Sequence, residues 1–454
     1  MQIPFAAQSY QSRSLPLSAQ RLVNGYTQAS EGKDQPPVFR TAGVAAFATL
    51  PYGIRNAIDM NGTLIVVSGP SVYSVSATGA ITLLGTVSPN GTVSMAHNGT
   101  QTVVVSGGLG YVVTGAVVQI ADPDFRTPLS VVWVDGYFVF LAEDGTTFAS
   151  DLNNPTSYDA LAYDQTVGEP SGVLSLLVDH RDVFHFKEHS LEIWYNKGTI
   201  PMAFGRATDG FIERGCGAAR SPAKLDNTVF WLADDLTVRT LRANVPTRIS
   251  TDVIEQDFTT YGVTSDAIGF TISHDGRFSY VLTFPTAGRT WEYSVATQLW
   301  NERASQGQTS WQVEGVIQAF GKTLAWAGTQ LGRLDPLTYA EWGEPLVMRM
   351  TSKTIADGPN WVFHQRLEID CQVGTGIATG QGSDPQLMLR YSDDGRNWSP
   401  EYWRPAGKAG KYRTRAVWNR LGRSRNRIYE LSISDPVPFV FYGAYLNEEQ
   451  SIAA

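Results

Sequence analysis

The chain has 454 residues, of which 43% are hydrophobic, 17% charged and 11% aromatic. That length exceeds one ordinary core and allows two or three domains, and that composition excludes general disorder. A net charge of -8 gives the chain as a whole no nucleic-acid-binding character, although one local block differs.

The 43 glycines and 23 prolines are spread along the chain among β-branched and aromatic residues. Such a mixture suits many short strands joined by tight turns, so the reading is all-β. Cys216 and Cys371 are too few and too far apart for a disulfide framework or a CxxC site, and read as buried thiols. Met1 to Phe5 lack a basic stretch followed by an apolar one, so no signal peptide is expected. No apolar run approaches the roughly 18 to 20 residues that cross a bilayer, and synthesis in a cytoplasm is expected.

Residues 1–35, polar and running into Pro36-Pro37, read as an extended arm packing on another part of the molecule. From 36 to 343 one unit recurs: a short apolar strand, a turn pair, a strongly apolar strand and a further hairpin. The turns are Asn61-Gly62, Asn98-Gly99, Asp135-Gly136, Asp179 to Asp182, Asp226-Asn227, Asp275-Gly276 and Phe320-Gly321. Asn-Gly and Asp-Gly permit positive φ at a hairpin centre. The strands that follow begin at Thr63, Thr102, Tyr137, Asp182, Thr228, Phe278 and Lys322. From Asn61 to Phe320 the six intervals average about 43 residues, within the roughly 40 to 50 that a four-stranded propeller blade needs. A pair of β-sandwiches would not produce that longer period. The expected fold is a β-propeller of six or seven blades, the unit at 313–343 being the weakest.

Residues 344–454 carry longer strands, at 345–351, 361–373 and 386–391, and read as a C-terminal β-sandwich. The Gly-rich stretch 374–384 between them reads as an exposed loop. Asp393-Asp394-Gly395-Arg396-Asn397-Trp398 has the D-x-G-x-x-W core of an Asp-box hairpin, with Asp393 expected to cap the turn and Trp398 to fold over it. Asp-boxes fix hairpins and hold no catalytic group.

His180, His185 and His189, with Asp179, Asp182 and Glu188, form a His-rich cluster. On a strand His185 points away from Phe184 and Phe186, so turn-capping and packing are expected, with no metal. No G-x-S-x-G elbow, P-loop or H-E-x-x-H occurs, and no cofactor or catalytic residue is predicted. The compositional anomaly is 404–427: Arg404, Lys408, Lys411, Arg413, Arg415, Arg420, Arg423, Arg425 and Arg427 occur there without one acid. Tyr402, Trp403, Tyr412 and Trp418 interleave them. Arginine pairs with phosphate and carboxylate alike, so the block suits DNA or an acidic protein surface, while composition alone favours a solvated or intersubunit salt-bridged face.

The same residues carry a resemblance. Leu389 to Leu446, including LRYSDDGRNWS, GKYRTRAVWNRLGRSRNRIYELSISDP and GAYL, resembles the C-terminal signature of packaged-DNA stabilisation proteins, the tail nozzles of short-tailed bacteriophages. Similar stretches lie upstream at Ser18 to Tyr26, Asp122 to Phe125, Asp135 to Phe140, Asp179 to Arg181, Leu191 to Tyr195, Phe211 to Ala218, Ala223 to Leu232 and Val281 to Ala287. Gly25 departs from the pattern, which has a larger apolar residue there. The resemblance implies a virion component, a homo-hexamer below the portal-connected tail adaptor. Its implied role is to close the channel on packaged DNA and to seat a distal needle, plug or tail fibre or spike. A receptor- or glycan-binding tail protein is the alternative.

Overall fold

The structure, a computed structural model, describes residues 1–14, 18–28, 36–166, 168 and 170–447. Parts of the expected arm (15–17 and 29–35) and residues 448–454 of the expected sandwich therefore lie outside the described residues.

Each apolar strand singled out in the sequence becomes the second strand of a four-stranded antiparallel sheet. Thr63–Ser68, Thr102–Ser106, Tyr137–Ala142, Asp182–Lys187 and Thr228–Leu232 sit second in five such sheets. Nearly every residue of these strands is buried, because a neighbouring sheet covers each face. In a sixth sheet Arg277–Phe284 holds the same place, after Ile268–His274. The seventh has three consecutive strands, Gly315–Ala319, Lys322–Ala327 and Gln330–Asp335. Its fourth strand, Gly43–Thr49, comes from the other end of the chain, Leu334 pairing with Val44 and Leu331 with Ala48.

The first strands of successive sheets pack side by side, and Gly315–Ala319 packs on Ile54–Met60, which closes the circuit. A closed circuit of radial sheets is a β-propeller. Six of the seven predicted turns have positive φ at both centres, as at Asp135 and Gly136 (53° and 90°) and at His180 and Arg181 (49° and 72°). That geometry matches the right-handed twist of the strands it joins. The seventh differs: only Gly99 is positive, and Asn98 Oδ1 accepts the amides of Thr100 and Gln101 to form a longer turn.

The rest of the chain is a β-sandwich. One sheet runs Leu22–Val23, Met348–Thr351, Asn426–Ile433, Gln386–Ser392 and Tyr402–Pro405. The other runs Gly25–Thr27, Val38–Arg40, Val440–Leu446, Arg366–Cys371 and Ala416–Asn419. Their shared core includes Leu367, Leu389, Trp418, Tyr429 and Leu431, together with Ile3, Phe5, Leu22 and Val38 from the N-terminal segment.

That segment stitches the two domains together. Ile3 donates its amide to Ala444, Ala6 to Thr351 and Ser9 to Trp300, so the chain passes from sandwich to propeller within nine residues. Val23 then lies between Glu302 of the sixth propeller sheet and Arg349 of the sandwich, making one continuous ten-stranded sheet. Gly25 is explained by this closeness. A Cβ there would press on Leu22 Cδ1 at 2.8 Å and Met348 Cε at 2.9 Å, so a larger residue would force both side chains to repack.

Candidate partner-binding surface

The cations of the 404–427 block do not share one face. Strand Ala416–Asn419 separates Lys408 to Arg415 from Arg420 to Arg427 along the chain, and Arg404 lies beside that strand on Tyr402–Pro405. Tyr402–Pro405 and Ala416–Asn419 are the edge strands remote from the propeller in their respective sheets. Trp418 Nε1 donates to Tyr402 O at 2.8 Å and ties these two edges together.

Several of the nine charges are used within the chain. Arg404 gives Nε to Val417 O and Nη1 to Trp403 O, both at 2.8 Å. Lys408 approaches Asp384 at 3.6 Å, and Arg415 lies 3.2 Å from Glu368. Arg427 differs most from the expectation of an outward-facing block. Its side chain is 2% exposed and forms a two-pronged pair with Asp393 at 2.6 and 2.8 Å, its guanidinium lying 4.0 Å from the Tyr391 ring centroid. Among the described residues, Lys411, Arg413, Arg420, Arg423 and Arg425 are exposed and have no carboxylate within 4 Å. Arg423 and Arg425 instead stack on Trp361, at 4.7 and 5.3 Å from its centroid. Sequence reading missed Trp361 and its exposed neighbour Phe363, because nothing local signals that Val362–Phe363 pairs with Arg423–Ser424.

The Asp-box also needs a correction. Asp394, rather than Asp393, caps the turn, accepting the Asn397 and Arg396 amides at 2.7 and 2.8 Å. Those donors hold its carboxyl well below the usual range. Gly395 takes positive φ (73°), while Asp393 is drawn away by Arg427.

The histidine cluster disperses over its strand and turns. His185 is fully buried, meets Thr147 Oγ1 at 3.0 Å, and is pushed down by burial to about 3, so it stays neutral. His180 lies on Asp179 and His189 near Asp234. Among the described residues no group of three or more His, Cys, Asp or Glu is placed to hold a metal ion. Both cysteine thiols are free and buried, Cys216 pushed up to about 11 and Cys371 to about 12 by desolvation.

A cleft of about 320 Å³ lies between the domains, lined by Tyr26, Arg40, Arg277, Glu292 and Arg303 among others. Arg277 and Arg303 both pair with Glu292, at 3.2 and 3.1 Å. Arg277 stacks on Tyr26 and Arg303 on Trp311, which makes this a charged seam between the domains.

A family model described as the bacteriophage P22 Gp10 β-propeller matches residues 1–335, and one described as the P22 Gp10 β-sandwich matches residues 348–449. The chain belongs to the bacteriophage P22 Gp10 family. It is thus a structural phage protein of the DNA-stabilisation and tail nozzle family, with the propeller and sandwich described above. No curated protein matches this Gp10-family chain. Similar solved structures include the WD40 β-propeller domain of Doa1 (13% identity, TM-score 0.42, covering 64% of this chain and 96% of that one). The computationally designed Ika8 protein is also similar (12%, TM-score 0.39, 64% and 99%), as is PorZ of Porphyromonas gingivalis (12%, TM-score 0.41, 80% and 46%).

Proposed function

We propose that this chain forms the tail nozzle of a short-tailed phage, a homo-hexameric ring below the portal-connected adaptor. The ring closes the channel, retains packaged DNA and seats a distal needle, plug or fibre, without catalysis. The family match across both domains carries this reading. The ten-stranded sheet through Leu22–Val23 supports it mechanically, since backbone hydrogen bonds across the seam resist shear better than a flexible linker. We read residues 1–35 as the arm, 36–343 as a propeller whose seven sheets are seven blades, save that Val38–Arg40 pairs in a sandwich sheet, and 344–454 as the sandwich facing the adaptor or channel. Of the nine cations, Lys411, Arg413 and Arg420 are exposed without an acid or aromatic partner among the described residues and are assigned to an anionic partner, DNA phosphate or adaptor carboxylates.

The test is a phage lacking the protein. Its particles are expected to package DNA and then leak it, measured as nuclease-sensitive DNA after purification. Particles that keep their DNA and fail only to infect would overturn the reading in favour of receptor or glycan binding.

A further inference from the structure

Two surfaces of this chain complement each other, yet they lie on opposite flanks of one copy. The first is the sandwich end that carries Trp361 and Phe363, 48% and 54% exposed. Arg423 and Arg425 share the Trp361 ring without a carboxylate within 4 Å among the described residues. Two guanidiniums over one indole repel each other, so an approaching anion stabilises the arrangement, while the aromatic rings offer apolar area.

The second surface is the outer edge of the third propeller sheet. Residues 122–165 contain eight acids against one cation, Arg126. The outermost strand, Asn154–Gln165, pairs on one side only, with Thr146–Asp151. Between Tyr158 and Tyr163 its register slips, and Asp159 to Ala162 bulge from the ladder. Leu161 on this bulge is 65% exposed, nearby Leu152 is 58% exposed, and Asp159 and Asp164 flank Leu161 in the open. An edge strand with exposed leucines and flanking acids fits an apolar surface rimmed by cations.

The positions decide who the partner is. The sandwich joins the propeller at the sixth and seventh sheets, through Leu22–Val23 and the 336–347 connection. Around the closed circuit the third sheet lies three or four steps from both, on the far side of the disc. A contact between different patches on opposite flanks is head-to-tail, and its repetition makes a ring where the rotation closes and a filament where it does not.

We propose that the Trp361, Phe363, Arg423 and Arg425 surface of one copy docks on the Asp159, Leu161 and Asp164 edge of the next copy. This rests on the ring reading above and names the contact that makes the ring.

The experiment uses full-length protein assembled on adaptor-bearing capsids. Arg423→Glu with Arg425→Glu is expected to lower incorporation roughly 10-fold or more, as is Asp159→Lys with Asp164→Lys. The four changes together are expected to restore incorporation to within about threefold of the parent. A combined variant no better than either pair overturns the contact. A second arm avoids charge: Leu161→Cys with Phe363→Cys, treated on particles with a short bis-maleimide, is expected to give a ladder of linked copies. Particles whose micrographs show a ring, but which yield no ladder, refute this contact and leave the ring reading standing. Particles carrying a single copy refute the ring reading itself, and the contact with it.

Discussion

Arg21 and Glu302 meet in a two-pronged ion pair across the seam between propeller and sandwich, Nε to Oε1 at 2.9 Å and Nη2 to Oε2 at 2.7 Å. Glu302 is buried and is also reached by Arg289 at 3.4 Å and the Ser9 hydroxyl at 3.1 Å. Arg21→Ala removes the two-pronged partner and leaves that carboxylate with Arg289 and the Ser9 hydroxyl. Arg21 is partly open to solvent, so the expected loss is about 2 kcal/mol and not the larger cost of a fully buried pair. Chemical denaturation measures it.

Acid sensitivity follows from the same seam. Burial alone would raise Glu302 and Glu292, but Arg21 and Arg289 outweigh it at Glu302, and Arg303 and Arg277 at Glu292. Both carboxyls therefore sit below the ordinary 4.5 when folded. A depressed folded pKa adds stability above the unfolded value, and that stability is lost as pH falls through the folded one. The melting temperature should hold from pH 7 to 5 and decline below about 4.5. Arg21→Ala should shrink that decline, whereas an equal decline in the variant would place the acid response elsewhere.

Arg40 is a buried cation capped by carbonyls, with no carboxylate within 4 Å among the described residues. Its guanidinium reaches Val437 O at 3.1 Å, Tyr339 O at 3.3 Å, and also Asp435 O and Leu346 O. Desolvation brings it down to about 10. These carbonyls belong to the interdomain connection and to a sandwich loop, so one side chain fastens both. Arg40→Lys keeps the charge and loses the planar fork, with an expected cost of about 2 kcal/mol. Limited proteolysis should show faster cleavage within 336–347.

Ring closure can be tested at Gly43, which starts the strand that completes the seventh sheet. A Cβ there would lie 2.3 Å from Ala340 O and 2.7 Å from Thr338 O, both backbone atoms. Gly43→Ala is expected to destabilise by about 2 to 3 kcal/mol. Amide exchange should speed up in 330–335, the strand it pairs with, if the closing strand is displaced.

The cations of the basic block should separate into two groups by their melting behaviour. Changing Arg413, Arg415, Arg420 and Arg423 together to Gln should move the melting temperature of the free protein by no more than about 2 °C, since among the described residues only Arg415 of the four has an ion pair and it is exposed. The same variant should lower incorporation or DNA retention. Normal incorporation with DNA escaping at lower heat would identify the channel as partner, and unattached protein after capsid purification would identify the adaptor or, through Arg423, the neighbouring copy. Arg427→Gln should do the reverse and cost about 2 to 3 kcal/mol by uncoupling Asp393 from a buried guanidinium. A quadruple variant that melts early yet incorporates normally would show those four side chains to be structural.

What the sequence determined by itself was local. Asp135-Gly136 and Asp275-Gly276 announced hairpins because few residue pairs tolerate two positive φ angles in succession. Runs such as Tyr137–Ala142 announced strands covered on both faces because no other environment suits so continuous an apolar stretch. The period between these signals carried the propeller. Tertiary structure alone decided what completes each piece. Gly43–Thr49 pairs with Gln330–Asp335, and Val23 sits between Glu302 and Arg349, through backbone hydrogen bonds that any side chain would permit. Charge was equally silent about direction. Composition showed nine cations without an acid in 404–427, but Arg427 turns inward to Asp393 and Arg423 outward over Trp361. An arginine's role depends on which carboxylates, rings and carbonyls the fold brings within about 3 to 5 Å, and those partners lie tens of residues away in the chain.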